Sequence, residues 1–179
     1  TFCITRGDDA FVSQHIGDLT EYPSFRFFGE AVEDLVRLLK VKPAAIAHDL
    51  HPDYESTRFA MKFPAEVRFP VQHHHAHIAA CMAEHGLLDK VVGVSLDGTG
   101  YGADGTVWGG EFLIADLRDF ERFAHFKSYR MPGGDEAIRH PARMALSVLA
   151  AEFGDGFQEL AGRFLPAISA GERTLLARL

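Results

Sequence analysis

The sequence has few cysteines and no long apolar run, and both absences exclude classes of protein. Cys3 and Cys81 lie far apart without a CxxC pair, which excludes a zinc finger and gives no disulfide framework. No apolar stretch approaches the roughly 20 residues that span a bilayer, and no basic segment followed by an apolar one opens the chain. We therefore expect a cytoplasmic protein with no membrane partner.

Positive charge is also scarce. Lysine and arginine number 18 against 25 aspartates and glutamates, so the 179 residues carry a formal charge of −7. Such a chain offers no basic field to a phosphate backbone, and general nucleic-acid binding is disfavoured. The hydrophobic content of 47% predicts a folded core. Both ends resemble interrupted elements, a strand at residues 1–5 and a helix at residues 172–179, so we expect a piece of a longer chain.

A run of histidines stands out against this background. Four imidazoles fall within five residues in the segment Gln72-His73-His74-His75-Ala76-His77. On a helix, His73 and His77 would project from one face about one turn apart, where two ring nitrogens can bind one metal ion. Helix formers follow up to Gly86, which is typical of a helix end. The pattern predicts a helix with a metal-binding pair, and His74 pointing elsewhere.

The rest of the chain alternates between strand and helix patterns. A hairpin is predicted from residues 2–5 and 10–13, which flank a turn containing glycine and aspartate. Further strands are expected at residues 43–48, 67–71, 91–96, 106–115 and 120–126, and helices at residues 28–39, 54–62 and 135–153. This alternation predicts an α/β domain with a mixed sheet and no linker.

Two polar segments follow predicted strands. The first is a cluster formed by His48, Asp49, His51 and Asp53. The second is a glycine-rich loop, Asp97-Gly98-Thr99-Gly100-Tyr101-Gly102-Ala103-Asp104-Gly105-Thr106, in which Asp-Gly-Thr occurs twice. Glycines let backbone amides approach an anion, and a carboxylate can hold a metal ion beside phosphates. A phosphate-binding hairpin is one interpretation of the loop, and a plain turn between strands is the other.

Other polar residues form weaker patterns. Glu111 follows two glycines and is expected to face the same site as the loop. Asp135 follows Pro-Gly-Gly and is expected to cap the next helix. Cys81 is expected to be a small buried residue rather than a ligand. Three residues could bind an anion but fit a solvated helix face better: Arg139, His140 and Arg143.

Five segments, in order along the chain, resemble one family. They are residues 13–19, 48–54, 72–84, 97–112 and 132–135. Together they are similar to the HypF carbamoyltransferases, which mature nickel–iron hydrogenases. The matching region is the C-terminal domain of that family, which resembles the enzymes that transfer threonylcarbamoyl to tRNA. The resemblance implies an actin-like, Hsp70-like ATPase (ribonuclease H-like) fold, of which residues 1–179 are the N-terminal portion and which is incomplete at its C-terminal end.

The resemblance also implies a reaction. In this family, carbamoyl phosphate and ATP give a carbamoyl-adenylate, and the carbamoyl group then passes to the C-terminal cysteine of the partner HypE. Dehydration there leads to the cyanide ligand of the hydrogenase. The implied cofactors are a divalent metal (zinc, iron or magnesium) and ATP or carbamoyl-adenylate.

The same resemblance implies the residues of the site. The metal ligands are His73, His77 and Asp97, with further ligands and nucleotide contacts beyond residue 179. Asp97 and Glu111 are the predicted catalytic residues. The predicted phosphate contacts are Gly98, Thr99, Gly100, Tyr101 and Gly102. Gly93 stands where the tRNA-modifying enzymes have a tyrosine ligand.

Two other functions stay open. One is a related transferase with another acceptor, either an O-carbamoyltransferase or a tRNA threonylcarbamoyltransferase. The Asp-Gly-Thr-Gly loop and the acidic charge argue against the tRNA enzyme. The other is a metal-binding and docking module. Because half of a nucleotide cleft is expected to be absent, we expect weak or no activity from the chain by itself.

Overall fold

The computed structural model describes residues 1–177, and these divide into two compact units. The first unit is residues 1–125 and the second begins at Phe126. Among the helices described, none combines the length and the apolar character needed to cross a bilayer. The assignment of residues 1–179 to a portion of one domain stays a prediction.

The first unit contains most of the strands and the histidine helix. Its elements are β1 (Cys3–Arg6), β2 (Asp9–Val12), α1 (Tyr22–Leu39), β3 (Ala45–Asp49), α2 (Glu55–Lys62), β4 (Val67–Val71), α3 (His73–Glu84), β5 (Val91–Ser95), β6 (Gly100–Tyr101), β7 (Val107–Trp108), β8 (Glu111–Ala115) and β9 (Phe120–His125). The predicted hairpin and histidine helix are confirmed. Helix α1 begins six residues earlier than predicted, because its Pro23 is tolerated in a first turn, where no intrahelical N–H bond is lost.

The strands of this unit form several small sheets. β3 and β4 pair in parallel, joined by the crossover helix α2, and Asp49 lies opposite Val71. β5, β8 and β9 form an antiparallel sheet in that order, and β1–β2 and β6–β7 are hairpins. The α/β content is confirmed. The predicted mixed sheet is wrong for the described strands, because the parallel pair β3–β4, joined by the α2 crossover, forms a sheet of its own and the other strand pairs are antiparallel.

The core of this unit joins α3 to the antiparallel sheet. Ile78 and Met82 of α3 pack with Leu113 and Ala115 of β8, both fully buried, and with Trp108. A methyl group added at Gly93 would collide with the Ile78 side chain, so α3 lies directly on the β5 backbone. Burying a side chain such as Leu113 contributes roughly 1.5–3 kcal/mol. The packing therefore fixes the first turn of α3 near the residues that follow β5.

The second unit is helical. Its elements are α4 (Glu136–Arg139), α5 (Pro141–Phe153), a 3₁₀ turn (Gly154–Gly156), α6 (Phe157–Phe164) and α7 (Ala170–Leu176). The single helix predicted over residues 135–153 is wrong. Pro141 starts a new helix and forces His140 out of the helical region, to φ −124° and ψ 80°. Asp135 occupies the N-cap position of α4, as predicted, but its side chain makes no capping hydrogen bond.

The core of the second unit forms where three helices meet. Leu146, Ala161 and Leu176 are buried together, one from each of α5, α6 and α7. Helix α7 is capped by Ser169, whose hydroxyl accepts a hydrogen bond from the Glu172 N–H at 3.2 Å. The predicted C-terminal helix at residues 172–179 thus begins earlier, and its last two positions lie outside the described residues.

Candidate metal centre

Three side chains from two elements converge at the start of α3. His73 and His77 lie one turn apart on the helix, and Asp97 follows β5. The Asp97 Oδ2 atom lies 2.9 Å from His73 Nε2 and 3.6 Å from His77 Nε2, and the two ring nitrogens are 3.2 Å apart. The structure therefore brings together the three residues predicted as metal ligands.

These separations fit the ligand shell of one small cation. Metal–nitrogen and metal–oxygen bonds of about 2.0–2.2 Å in a tetrahedral site place neighbouring ligand atoms about 3.3 Å apart. The observed distances between the three candidate ligand atoms, 2.9, 3.2 and 3.6 Å, lie on both sides of that value. Two imidazoles and one carboxylate are also the donor types of open catalytic metal sites, where a remaining position takes water or substrate. The residues present therefore fit the implied metal.

A second carboxylate contacts the same histidine from the other side. Asp49, the last residue of β3, places Oδ2 at 2.9 Å from His73 Nδ1. Its other oxygen, Oδ1, accepts a hydrogen bond from the His51 N–H at 2.7 Å. The ring of His51 in turn stacks on Tyr54, with centroids 4.3 Å apart. The polar cluster at the end of β3 thus borders the metal centre.

The start of α3 is secured by its capping residue, Gln72. The Gln72 side-chain oxygen accepts a hydrogen bond from the His75 N–H at 2.9 Å. Its amide nitrogen lies 3.1 Å from His74 Nδ1 and donates to the Tyr101 carbonyl at 3.3 Å. The histidine pattern predicts no role for Gln72, although the position before a helix is where capping residues occur. Gln72 ties the helix to the glycine loop.

His74 is a packing residue of the site. Its side chain is fully buried, and burial lowers the pKa of the imidazole below its usual value. Because the Gln72 amide donates to Nδ1, the neutral ring carries its proton on Nε2. A methyl group at Gly100 would lie 2.7 Å from His74 Cε1. The prediction that His74 points away from the metal pair is confirmed, and this ring supports the loop.

The glycine loop is a hairpin of β6 and β7 with two distinct halves. Asp97 lies beside His73 and His77, and its carbonyl accepts a hydrogen bond from the Gly110 N–H at 3.3 Å. The second Asp-Gly-Thr forms the hairpin turn. There Asp104 accepts hydrogen bonds from the Thr106 N–H, the Thr106 hydroxyl and the Trp108 indole. These donors lower the pKa of Asp104 to about 2.

The predicted catalytic residue Glu111 lies beneath this hairpin. Its carboxylate is 1% exposed and forms two hydrogen bonds with the Arg122 guanidinium, at 2.7 and 2.9 Å. It also accepts a hydrogen bond from the Gly109 N–H at 3.1 Å, and Arg122 lies 4.1 Å from the centre of the Trp108 ring. The contacts of Glu111 are thus with the strands that brace the loop, and its catalytic role stays a prediction.

An apolar groove of about 680 Å³ opens beside the triad. His77 and Asp97 line it together with further residues of α3 and with the strand β5. Val92 and Val94 of that strand are 67% and 52% exposed. Cys81 also lines the groove and is exposed, so the prediction of a buried cysteine is wrong. The metal centre therefore borders a concave surface with mainly apolar walls.

Comparison with known proteins assigns both parts of the chain. The HypF Kae1-like domain matches residues 1–84, and the second subdomain of the carbamoyltransferase Kae1-like domain matches residues 93–179. The chain belongs to the HypF family. The resemblance in the sequence motifs is thereby confirmed.

Named HypF proteins agree with this assignment. Carbamoyltransferase HypF2 of Cupriavidus necator is 48% identical over 184 aligned residues, which take in 100% of this chain and 23% of that protein. Carbamoyltransferase HypF of Synechocystis is 46% identical, over 88% of this chain and 20% of that protein. A crystal structure of full-length HypF in the phosphate- and nucleotide-bound form superposes with a TM-score of 0.85 at 42% identity, covering 98% of this chain and 23% of that one. The chain spans about a quarter of these HypF relatives.

Proposed function

We propose that this chain is the carbamoyl-transferring part of a HypF-type enzyme. The proposed reaction moves a carbamoyl group from carbamoyl phosphate, through an ATP-derived carbamoyl-adenylate, to the C-terminal cysteine of HypE for cyanide synthesis. The observation that carries the proposal is the convergence of His73, His77 and Asp97 beside the glycine hairpin. The proposed fold is the N-terminal portion of an actin-like ATPase domain, and the proposed location is the cytoplasm.

Residues of the triad hold the proposed metal. Two imidazole ligands favour zinc or iron over magnesium, which prefers oxygen ligands. When bound, such an ion supplies Lewis acidity toward a carbamoyl or phosphoryl oxygen. Asp97 belongs both to the ligand set and to the glycine hairpin, so it fixes the distance between them.

The hairpin backbone is proposed to bind the phosphoryl groups of ATP or carbamoyl-adenylate. Gly98, Thr99, Gly100, Tyr101 and Gly102 continue directly from Asp97, so any group bound to their backbone lies next to the triad. Gly98 has open space where a side chain would lie, which supports close approach of a phosphoryl group to its backbone. In support, the solved HypF structure with TM-score 0.85 was obtained in a phosphate- and nucleotide-bound form.

A chimeric enzyme tests this proposal. The matched quarter of Cupriavidus necator HypF2 is replaced by this chain, and transfer of labelled carbamoyl from carbamoyl phosphate to HypE is measured in the presence of ATP. We expect transfer by the chimera and a loss of about 100-fold or more in the same chimera carrying His77→Ala, because one of three ligands is removed. A soluble, folded chimera that does not transfer carbamoyl would show the proposal to be wrong.

His85 provides the matched control for that variant. It follows the last residue of α3, about two helical turns after His77. Its ring contacts Cys81 and not the triad. His85→Ala removes an exposed imidazole in the same way, so the chimera should retain its transfer rate. Equal losses in the two variants would contradict a specific role for His77. The isolated chain is measured in the same assay. We expect it to bind metal but to transfer carbamoyl weakly or not at all.

A further inference from the structure

We propose that Asp49 is a positioning residue of the metal centre, which selects the tautomer of His73 that presents Nε2 to the metal. This inference rests on the metal site of the proposed function. It adds a residue outside the ligand set, 24 positions before His73 in the sequence. The carboxylate is 17% exposed on its side chain, so water competes little for it.

The carboxylate has a defined partner for each oxygen. Oδ1 accepts a hydrogen bond from the His51 N–H at 2.7 Å, and Oδ2 lies 2.9 Å from His73 Nδ1. The backbone is held as well, since the Asp49 carbonyl accepts a hydrogen bond from the Thr57 hydroxyl at 3.1 Å. Asp49 is therefore fixed at the end of β3 by contacts that do not involve the metal ligands.

This arrangement determines where the proton of a neutral His73 lies. An ionised carboxylate can only accept hydrogen bonds, so the ring nitrogen facing Asp49 must carry the N–H. Asp97 Oδ2 also faces this ring, at 2.9 Å from Nε2, so the choice is fixed when Nε2 and Asp97 are both ligands of a metal ion: the proton then lies on Nδ1, toward Asp49, and the lone pair of Nε2 is available to the ion. Nε2 is the atom that lies 2.9 Å from Asp97 Oδ2 and 3.2 Å from His77 Nε2. A carboxylate behind a ligating histidine commonly fixes its tautomer and orientation in this way.

Two substitutions at position 49 distinguish a tautomer role from a purely structural role. A tautomer role predicts that Asp49→Asn weakens metal binding more than Asp49→Ala does. In Asp49→Asn, the His51 N–H still needs an acceptor, so the amide oxygen faces it and the NH₂ group faces His73. His73 Nδ1 must then accept, which moves its proton to Nε2 and blocks the ligand atom. Asp49→Ala leaves both tautomers accessible. A purely structural role gives the reverse order, because asparagine preserves the shape and alanine does not.

Zinc affinity of the whole 179-residue chain tests the inference. Competition with a chromophoric chelator at fixed pH gives the dissociation constant for Zn²⁺, and thermal melts show that each variant is folded. We expect Asp49→Asn to weaken binding about 10–100-fold and Asp49→Ala to weaken it less. Asp53→Asn is the matched control. This exposed carboxylate pairs with Arg58 in the same segment, and its loss should leave the affinity unchanged.

The outcomes distinguish failure of the positioning role from failure of the metal site. Wild-type affinity in Asp49→Asn, or a larger loss in Asp49→Ala, overturns the positioning role and leaves the metal site intact. Absence of Zn²⁺ binding by the wild type overturns both. If a variant does not fold, the ring ¹⁵N shifts of His73 in the zinc-loaded wild type decide the question. A protonated Nδ1 supports the inference, and an unprotonated Nδ1 overturns it.

Discussion

Asp97 and Asp104 each open an Asp-Gly-Thr segment, and their carboxylates have different surroundings. The carboxylate of Asp97 lies toward two imidazoles, at 2.9 and 3.6 Å. That of Asp104 turns back on its own hairpin and accepts three hydrogen bonds. The plain-turn interpretation therefore holds for the second half of the loop, and phosphate binding by the first half stays a prediction.

The turn at Asp104 has an expected pH dependence. Its pKa is lowered from the usual 3.8 to about 2, so the ionised form is favoured by folding. The stabilisation is thus present above about pH 4 and is lost as the pH falls toward 2. We expect Asp104→Asn to lower the melting temperature at pH 5, with the difference from wild type shrinking between pH 4 and pH 2. A difference independent of pH would contradict this account, and Asp8→Asn in the β1–β2 turn is the control.

Residue by residue, the site was predictable where its residues are close in sequence. His73 and His77 follow from helical spacing alone, because four residues make about one turn. Asp49 could not be recognised as their neighbour in the same way. Its contact depends on β3 pairing with β4 in a register that sets Asp49 opposite Val71, two residues before His73. A single sequence carries no direct record of such a register.

At the scale of elements, the packing of α3 on β5 positions the histidines. The contact requires glycine at position 93, where the Ile78 side chain occupies the space of a larger residue. The third candidate ligand, Asp97, follows β5 and does not lie within the strand.

Gly93→Ala tests this packing. We expect it to lower the free energy of unfolding by about 1–3 kcal/mol, because the added methyl group overpacks the contact with Ile78. Ile78→Ala should destabilise the protein by itself, and the double variant should lose less than the sum of the two. Urea denaturation of the four proteins gives the coupling energy. Strictly additive losses would show that the two residues do not compete for the same space.

Breaks between elements were the least predictable part of the fold. The sequence pattern from residue 135 to residue 153 is continuous in its apolar spacing, yet α4 and α5 are separated at His140. Pro141 was the sequence signal for this break, because a proline disfavours helical backbone in the residue before it. Similarly, the strand predicted over residues 106–115 is split into β7 and β8 by Gly109 and Gly110. At Gly109, an added methyl group would collide with the Gly98 carbonyl.

For the whole molecule, the metal centre belongs to one compact unit. The three candidate ligands, the carboxylate of Asp49 and the Glu111–Arg122 pair all lie within residues 1–125. The helical second unit has its own core of Leu146, Ala161 and Leu176. The proposed metal ligands described here therefore all belong to the first unit.

A truncation tests this division. We expect residues 1–125, expressed alone, to bind Zn²⁺ with an affinity within about threefold of that of the 179-residue chain, measured by the same chelator competition. The reason is that each candidate ligand is held by contacts inside the first unit. His77→Ala in the truncated chain is the control and should abolish this binding. A folded truncation without zinc affinity would place an essential ligand after residue 125.

The parallel register of β3 and β4 has a consequence for how the protein matures. Side chains alternate between the two faces of a strand, so a slip of one residue would turn Asp49 to the opposite side and away from His73. In a misaligned chain, Asp49 would no longer fix the tautomer of His73, and the site would bind the ion more weakly. The zinc affinity proposed above should therefore depend on the correct alignment of β3 with β4.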